Sequence, residues 1–159
     1  MARIHPAVRE FRARAAAEFE FLLTEFGCRE EPVPRGKNEF SVRYVNATTR
    51  IIVEGINWGA NARVALGSAG PLERFEDFDL LDIVSVRFPD QAPSQVEMAR
   101  GQIHQLEILA DVLRRCGVET LRGDFSVAPQ IHELRRQRVE DWNREQAERA
   151  RKRGRPPEA

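Results

Sequence analysis

Residues 40–67 contain three short runs in which apolar and polar residues alternate, with turn-forming residues between the runs. Because successive side chains of a strand point to opposite faces, each run places its apolar residues together on one face. Those apolar positions are Phe40, Val42, Tyr44, Ile51, Val53, Ala62, Val64 and Leu66. The pattern predicts a three-stranded antiparallel meander with one face to bury.

Helical patterns lie on both sides of the meander and can cover that face. Apolar residues recur at spacings of three and four over residues 6–26, and again from Val96 onward within residues 94–117. Ser94 and Glu97 form a capping box at the start of the second stretch. The sequence therefore predicts an α+β fold. Three to four antiparallel strands are packed on one face by two or three long helices, and a C-terminal helix with a frayed basic tail follows.

The stretch between these patterns, residues 75–88, mixes apolar and acidic residues and is less regular. The pattern of residues 77–83 predicts a short helix. Residues 84–88 fit both a helix and a fourth strand at the edge of the sheet. The number of strands therefore stays open between three and four.

The length of the chain, 159 residues, is that of one domain. Ile131, Leu134, Val139 and Trp142 are expected to anchor the first half of the last helix, and no large apolar residue follows Trp142. We therefore expect a single α+β domain over residues 1–142. Residues 143–159 are then a solvated helical extension that frays into a disordered basic tail.

The composition excludes several classes of protein. Twenty-five basic and 25 acidic residues cancel, so no overall field attracts nucleic acid or a membrane surface. Cys28 and Cys116 are too few for a disulfide framework, and the first residues lack the apolar core of a signal peptide. We expect a soluble, cytoplasmic protein without membrane contact, and the sequence leaves its oligomeric state open.

Motifs that carry catalytic chemistry do not occur in the sequence. There is no nucleophile elbow, phosphate loop or dinucleotide-binding fingerprint. The three histidines share no spacing that would bind a metal. We therefore predict no catalytic residues, no metal and no cofactor, and a protein that is not an enzyme.

The first candidate binding site is an acidic, aromatic-rich stretch after the meander. The solvated face of a short amphipathic helix would give the same pattern, and the alternative is a surface that docks a basic partner. A tryptophan in the turn between the second and third strands either adds an aromatic anchor or folds back onto a helix. The predicted partner-binding residues are Trp58, Glu73, Glu76, Asp77, Asp79 and Asp82.

The C-terminal tail carries the second candidate site. Its Arg-Gly-Arg-Pro run resembles the core of an AT-hook, in which an extended Arg-Gly-Arg enters the narrow minor groove of A·T-rich DNA. The resemblance covers only a few residues, and Glu158 stands where further basic residues are missing; a solubilising tail is the alternative. The candidate nucleic-acid-binding residues are Arg151, Lys152, Arg153, Gly154 and Arg155.

A family resemblance is carried by five segments in order along the chain, residues 21–27, 42–44, 51–54, 80–83 and 121–125. Their order resembles that of small uncharacterised bacterial α+β proteins grouped with the immunity proteins of polymorphic toxin systems, and it spans residues 6–140. The resemblance implies a cytosolic protein that binds and neutralises a cognate toxin. We therefore predict a non-enzymatic immunity- or antitoxin-like factor for a basic partner, such as a toxin or nuclease domain. The alternative is a DNA-associated accessory protein that uses the tail.

Overall fold

The computed structural model describes residues 4–34 and 37–154, and for Trp58 it describes the backbone alone. The chain divides into two compact units, the first ending at Phe125 and the second beginning at Ser126. The first unit contains a β-sheet with helices, and the second is built on one long helix. The domain boundary expected after residue 142 stays a prediction.

Strands and helices of the first unit follow one another over its described residues. The strands are β1 (Arg29–Glu31), β2 (Ser41–Val45), β3 (Thr49–Ile56), β4 (Asn61–Ser68) and β5 (Phe78–Asp79). The helices are α1 (Pro6–Glu18), α2 (Phe21–Glu25), α3 (Leu80–Arg87), α4 (Gln95–Met98), α5 (Gln102–Cys116) and α6 (Val118–Leu121). Single 3₁₀ turns lie at Asn57–Gly59, Leu72–Arg74 and Pro89–Gln91.

The strands form an antiparallel sheet whose order follows the chain, from β1 at one edge to β5 at the other. Val53 lies opposite Val42 on one side and Val64 on the other, so the apolar positions of the three runs share a face. The α+β class and the central meander are therefore confirmed. Short edge strands extend the meander: β1 pairs with β2, and β5 pairs with β4 at Ala65 and Leu66.

The apolar side of this sheet, which we call the covered face, packs against helices α1 and α5. Its side chains are at most 4 % exposed, and they are Val42, Tyr44, Ile51, Val53, Val64, Leu66 and Phe78. Leu106 of α5 and Phe11 of α1 are fully buried. The first turn of α5 comes so close that a side chain at Gly55 of β3 would collide with Gln102. Burial of this apolar surface is the main stabilising contribution to the first unit.

Both of the long helical stretches predicted from periodicity are interrupted. Residues 6–26 form α1 and α2, which a two-residue turn separates. The second stretch breaks at Gly101, whose φ of 95° lies in the left-handed region. The capping box of Ser94 and Glu97 is confirmed, but it caps only the single-turn helix α4. Val96, predicted to lie in the buried stripe, is 80 % exposed, because the break puts its turn out of phase with α5.

The segment after the meander is shifted relative to its predicted structure. The prediction of a helix over residues 77–83 was wrong at its start. The strand β5 occupies Phe78 and Asp79, and α3 begins only at Leu80. The Asp79 carboxylate accepts a hydrogen bond from the backbone N–H of Leu81 at 2.8 Å, so it caps α3 from its place in the sheet. Residues 84–88, open between helix and strand, mostly continue α3.

The second unit consists, over its described residues, of the helix α7 (Ala128–Lys152), which confirms the predicted C-terminal helix. Ion pairs link neighbouring turns: Arg136 contacts the glutamates three residues before it and four residues after it. The expectation that Val139 and Trp142 are buried anchors was wrong, because each side chain is 59 % exposed. The residues one turn before Val139 are Arg135 and Arg136, so the apolar stripe that starts at Ile131 does not continue to Val139 and Trp142.

Candidate functional site

The side of the sheet opposite the covered face carries charges, and we call it the charged face. Its side chains alternate along the strands with the buried apolar positions. They include Arg29, Glu31, Arg43, Arg50, Ile52, Glu54, Arg63 and Asp79, and the register places the buried residues Ser41, Val45 and Ala65 on the same face. Opposite charges on neighbouring strands lie within reach of one another, so cross-strand ion pairs form over this face.

At one end of the charged face, Arg63 of β4 is shared by three carboxylates. Glu54 lies directly opposite on β3, and its Oε1 is 2.9 Å from Arg63 Nη1. Asp79 Oδ2, from the edge strand β5, is 3.1 Å from Arg63 Nε. The remaining nitrogen, Arg63 Nη2, donates a hydrogen bond to Asp77. We call these four residues the Arg63 cluster.

Strand register brings the Arg63 cluster together from separate parts of the sequence. Antiparallel pairing of β3 with β4 sets Glu54 beside Arg63. The pairing of β5 with β4 at Ala65 then sets Asp79 diagonally across from Arg63. Since a guanidinium group presents five N–H donors in one plane, a single arginine can serve all three carboxylates.

The Arg63 cluster holds more negative than positive charge. Three ionised carboxylates and one guanidinium give a formal charge of −2, three negative charges against one positive. Burial raises the pKa of Asp79 above its ordinary value, although the Leu81 amide and Arg63 act in the opposite direction. Burial disfavours the charged form of Arg63, but hydrogen bonds to Asp77 and Glu54 hold its pKa above the usual range. Within these four residues, acidic groups outnumber the basic one three to one.

A small pocket, which we call the edge pocket, lies beside this cluster where β4 extends beyond β5. Its volume is about 240 Å³. Arg63 and Asp79 contribute charged groups to its lining, so the pocket and the cluster are continuous. The apolar part of its wall consists of Ile56, Ala62, Val64, Leu81, Met98 and Leu109.

Gln105 of α5 closes the strand edge next to the edge pocket, and it is only 1 % exposed. Its Oε1 accepts a hydrogen bond from the backbone N–H of Ala62 at 2.6 Å. Its Nε2 donates to Asn61 Oδ1 at 3.1 Å and to the backbone carbonyl of Met98. One buried side chain thus satisfies an edge amide of β4 and ties α4, α5 and β4 together.

At the other end of the charged face, basic residues outnumber acidic ones, because Arg29, Arg43 and Arg50 all lie near Glu31. Arg50 Nε is 2.8 Å from Glu31 Oε2, and the Arg50 guanidinium lies over the ring of Phe75, 5.6 Å from its centroid. The hydrogen bond from Arg50 lowers the pKa of Glu31, against burial, and the charges of Arg29 and Arg43 lower it further. The two ends of this face therefore differ in charge, and its carboxylates gather at the Arg63 end.

The acidic residues predicted to bind a partner do not all lie on one surface. Glu73 and Glu76 are exposed, whereas Asp77 and Asp79 belong to the Arg63 cluster. Asp82, in the first turn of α3, is only 7 % exposed, so its carboxylate lies away from the surface. The structure therefore brings Asp77 and Asp79 together on Arg63, and it buries Asp82, whose charge still helps to raise the pKa of Asp79.

Glu54, Arg63 and Gln105 were not singled out from the sequence. The first two stand at polar positions of the alternating runs, and pairing the runs in register would have placed them side by side. The only sequence signal for Gln105 is its polar side chain between the apolar residues Ile103 and Leu106. The backbone of Trp58 lies in the 3₁₀ turn between β3 and β4. Its side chain lies outside the described residues, so its role as an anchor stays a prediction.

The candidate nucleic-acid-binding residues lie at the end of the second unit. Arg151 and Lys152 are the last residues of α7, and Arg153 and Gly154 follow it; all four are exposed. Arg155 lies outside the described residues. Binding of DNA by this segment stays a prediction.

A larger groove, of about 610 Å³, lies between α5 and residues 90–100. Its charged residues are of both signs, and several are paired with each other or with neighbours. Asp111 Oδ2 is 2.9 Å from Arg115 Nε, and Glu107 Oε2 is 3.5 Å from Arg14 Nη2. This groove therefore shows no preference for a ligand of one charge.

Metal sites and membrane spans were considered over the described residues. No group of three or more His, Cys, Asp or Glu side chains there is arranged to hold a metal ion. None of the helices in those residues combines the length and the apolar character needed to cross a bilayer. Comparison with protein-family models, with curated proteins and with solved structures gave no significant match. The Arg63 cluster and the edge pocket are the candidate site on the strength of their own geometry.

Proposed function

We propose that the protein is a non-enzymatic binding factor of the immunity or antitoxin type, which docks a basic protein partner at the Arg63 end of its charged face. The observation that carries this proposal is the convergence of three carboxylates, those of Glu54, Asp77 and Asp79, on one guanidinium in half-buried surroundings. Acidic groups gathered in this way favour a partner that presents basic residues.

Half-buried carboxylates gain more from a new cation than fully solvated ones, because water screens them less. The side chains of Glu54 and Asp79 are 20 % and 29 % exposed, so each is shielded from solvent and still accessible. The raised pKa of Asp79 indicates that its ionised form is under-stabilised in the free protein. Contact with a lysine or arginine would lower the pKa of Asp79 and contribute free energy of binding.

The segment that leads into β5 extends this site outward. Glu73 is exposed and adds negative charge, and Leu72 beside it is 58 % exposed and offers an apolar contact. Protein interfaces combine apolar contacts with a polar rim, and rim charges mainly speed the encounter of oppositely charged partners. The combination suits the surface of a basic protein.

A nuclease toxin has the required chemistry, because an enzyme that binds the phosphate backbone presents basic residues in its cleft. An inhibitor of such an enzyme needs no catalytic group of its own. It has to cover the basic cleft with a surface of complementary charge. This reasoning agrees with the resemblance to immunity proteins inferred from the sequence, and it names a basic toxin or nuclease domain as the partner class.

Co-expression with toxin domains, beginning with any encoded beside the gene, tests this proposal. We expect the wild-type protein to restore bacterial growth and to bind the toxin. A Glu73→Lys, Glu76→Lys variant should associate several-fold more slowly at low salt, with a smaller difference at high salt. The matched control is Glu10→Lys, Glu20→Lys, which makes the same charge change at exposed positions of the N-terminal helical region.

The control variant should keep the wild-type association rate. Equal rates for all three proteins at low salt would contradict a role for the acidic segment. Absence of both growth rescue and binding for the wild-type protein would contradict the immunity function itself.

A second candidate function is association with DNA through the end of α7, where Arg151, Lys152 and Arg153 are consecutive and exposed. A minor-groove hook should retard A·T-rich duplex more than G·C-rich duplex in a mobility-shift titration at low salt. Deletion of residues 143–159 should then abolish the preference. Retention without base preference, lost steeply as salt rises, would indicate phosphate contacts alone and remove this candidate.

A further inference from the structure

We infer that the guanidinium of Arg43, at the other end of the charged face, binds one carboxylate group of the docked partner. We call Arg29, Glu31, Arg43 and Arg50 the basic end of this face. The inference rests on the proposed function, since it adds a second contact that holds and orients the same partner. It can also be tested without the partner, because a small carboxylate should bind at the same arginine.

Arg43 of β2 is a cation to which the protein gives no acceptor. Its Nε is buried and makes no hydrogen bond, and no carboxylate in the described part of the chain forms an ion pair with its guanidinium. Buried polar groups in native proteins nearly always have a hydrogen-bond partner, and an unpaired one costs free energy. An acceptor that arrives with a ligand removes this cost.

The one carboxylate of the basic end is already occupied by the other two arginines. In the register, Glu31 lies opposite Arg43. Its Oε2 is nevertheless 2.8 Å from Arg50 Nε, and its Oε1 is 3.9 Å from Arg29 Nη2. Arg43 lowers the pKa of Glu31 through its charge alone. The basic end therefore contains one guanidinium that its own acid does not serve.

A second unpaired polar atom lies beside Arg43. Ser41 stands two residues earlier on β2, on the same face of the sheet and roughly 7 Å away along the strand. It is 2 % exposed, and its Oγ has no hydrogen-bond partner. Two buried donors therefore lack an acceptor in one small area. Such a pair is expected where a ligand or a water molecule supplies the missing bonds.

The guanidinium group of Arg43 suits a carboxylate. The side chain is half-buried, and arginine keeps its hydrocarbon stem on the protein while its head reaches water. Each edge of a guanidinium presents two parallel N–H groups, which match the two oxygens of a carboxylate. Because Nε is buried in the free protein, the head has to turn before the edge that contains Nε is used. The signal of the Nε–H group should therefore report binding.

A carboxylate fits this place better than a phosphate. Phosphate sites in proteins usually combine a cation with several backbone N–H groups, as at a helix N-terminus or in a nest. The strand that carries Arg43 is paired on both sides, with β1 and with β3, so its amides are used within the sheet. The negative charges on the surface of a protein partner are carboxylates. One guanidinium without a cradle of amides therefore points to an acidic side chain.

The two ends of the charged face together determine how a partner can dock. Arg43 and Arg63 are two strands apart and offset by two residues, which corresponds to roughly 12 Å. Both therefore fit beneath one protein interface of ordinary size. A partner that places basic groups on the Arg63 cluster and an acid on Arg43 cannot keep both contacts after it is turned round. Charge then selects the orientation as well as the partner.

The probe for the first test is acetate, which replaces chloride at constant ionic strength in a solution of ¹⁵N-labelled full-length protein. Inorganic phosphate is titrated in the same way. The Nε–H signals of the arginines and the backbone amide signals are followed by NMR. We expect acetate to cause saturable shifts of the Arg43 Nε–H signal and of residues 42–44 and 51–53. Phosphate should bind there more weakly.

Three variants make the test specific. Arg43→Gln should weaken acetate binding by about tenfold or more. Arg43→Lys keeps the charge but lacks the two-donor edge, and it should weaken binding by several-fold. Arg9→Gln, which removes an exposed arginine on α1, should keep the wild-type affinity. Since Arg43 makes no hydrogen bond in the free protein, its replacement should leave the fold intact, and the lysine variant is the milder change.

Three results of this titration would overturn the inference. Shifts that do not saturate would mean that water alone supplies the missing bonds. Equal affinity of acetate for Arg43→Gln and for wild type would place binding at another residue. Tighter binding of phosphate than of acetate would contradict the preference for a carboxylate.

The second test uses the toxin domain found by co-expression and separates this inference from the proposed function. Arg43→Glu should weaken the complex by about tenfold, whereas Arg9→Glu should not weaken it. If the toxin binds Arg43→Glu and wild type equally well, the inference fails and the proposed function stands. If acetate binds at Arg43 but no basic toxin binds the protein, the carboxylate site stands and the proposed function fails.

Discussion

The covered face and the charged face are built from alternate residues of the same strands, and their side chains have opposite surroundings. On the covered face, Ile51 and Val53 of β3 are fully buried beneath the helices. On the charged face, their neighbours Ile52 and Glu54 are half-buried, and ion pairs cross from strand to strand. The two-residue period of a strand allows one short stretch of sequence to make both surfaces.

The difference between the faces indicates which one stabilises the fold and which one is available for binding. Burial of apolar side chains contributes about 1.5–3 kcal/mol each. Ion pairs that remain partly exposed contribute about 0–1 kcal/mol. We therefore expect truncation of a buried apolar side chain beneath the covered face to lower the free energy of unfolding strongly. Removal of positive and negative charges together from the charged face should leave the protein folded.

The largest expected effect is that of Leu106→Ala, beneath the covered face. Leu106 is fully buried, so its truncation should lower the free energy of unfolding by about 2–5 kcal/mol in urea denaturation. Val96→Ala is the matched control, because Val96 belongs to the same sequence stripe and is 80 % exposed. The control should change stability by about 0.5 kcal/mol or less. Equal losses for the two variants would show that the covered face is assigned wrongly.

The next largest effect is that of Arg63→Met on the charged face. This change leaves three carboxylates close together without their cation, and it should cost about 1–3 kcal/mol at pH 7. Protonation relieves the repulsion, and the pKa of Asp79 is already raised by burial, so the loss should shrink as the pH falls toward 4. Urea denaturation of the variant and of wild type at pH 7 and at pH 4 measures the two losses of free energy of unfolding. A loss that grows in acid would refute the excess of negative charge.

A smaller effect on stability is expected for Glu31→Gln at the other end of the charged face. The hydrogen bond from Arg50 lowers the pKa of Glu31 from an ordinary value near 4.5. A carboxyl group whose pKa is lowered by folding stabilises the fold at pH values above its ordinary pKa. This contribution disappears as the pH falls through the pKa of the folded state. The variant should lose about 1 kcal/mol at pH 7 and nothing at pH 2–3 relative to wild type. A difference independent of pH would mean that charge is not the cause.

The smallest effect is expected in the reaction rates of the Cys28 and Cys116 thiols. These rates report how well the core excludes solvent. Burial, only partly offset by a hydrogen bond with Asn46, raises the pKa of Cys28 to about 11, and burial also raises the pKa of Cys116. Both thiols should remain protonated at pH 8 and react with a disulfide reagent only as fast as the protein opens. Rapid labelling of either cysteine in the native protein would contradict the packing described for the core.

Much of the central sheet could be predicted from the sequence, because alternation over three runs is a strong local signal. The edge strands could not, since β1 and β5 are two or three residues long and depend on pairing with their neighbours. The break at Gly101 carried a local signal, a glycine within a helical pattern. Periodicity alone did not reveal it, because apolar spacing continues across the glycine.

The candidate site was predicted only in part, for a different reason. Asp77 and Asp79 stood out as acids in an acidic stretch, but their cation comes from another strand. The partnership with Arg63 and Glu54 depends on register between strands, which no single segment of the sequence contains. Asp82 belongs to the same acidic stretch, but the turn into α3 buries it.

The measurement that tests the division between the two faces most directly is the free energy of unfolding of a neutralised Arg63 cluster. The variant combines Arg63→Met, Glu54→Gln, Asp77→Asn and Asp79→Asn. Because charges of both signs are removed together, stability should stay within about 1 kcal/mol of wild type. A loss as large as that of Leu106→Ala would show that the cluster holds the fold together, and it would contradict its assignment as a binding surface.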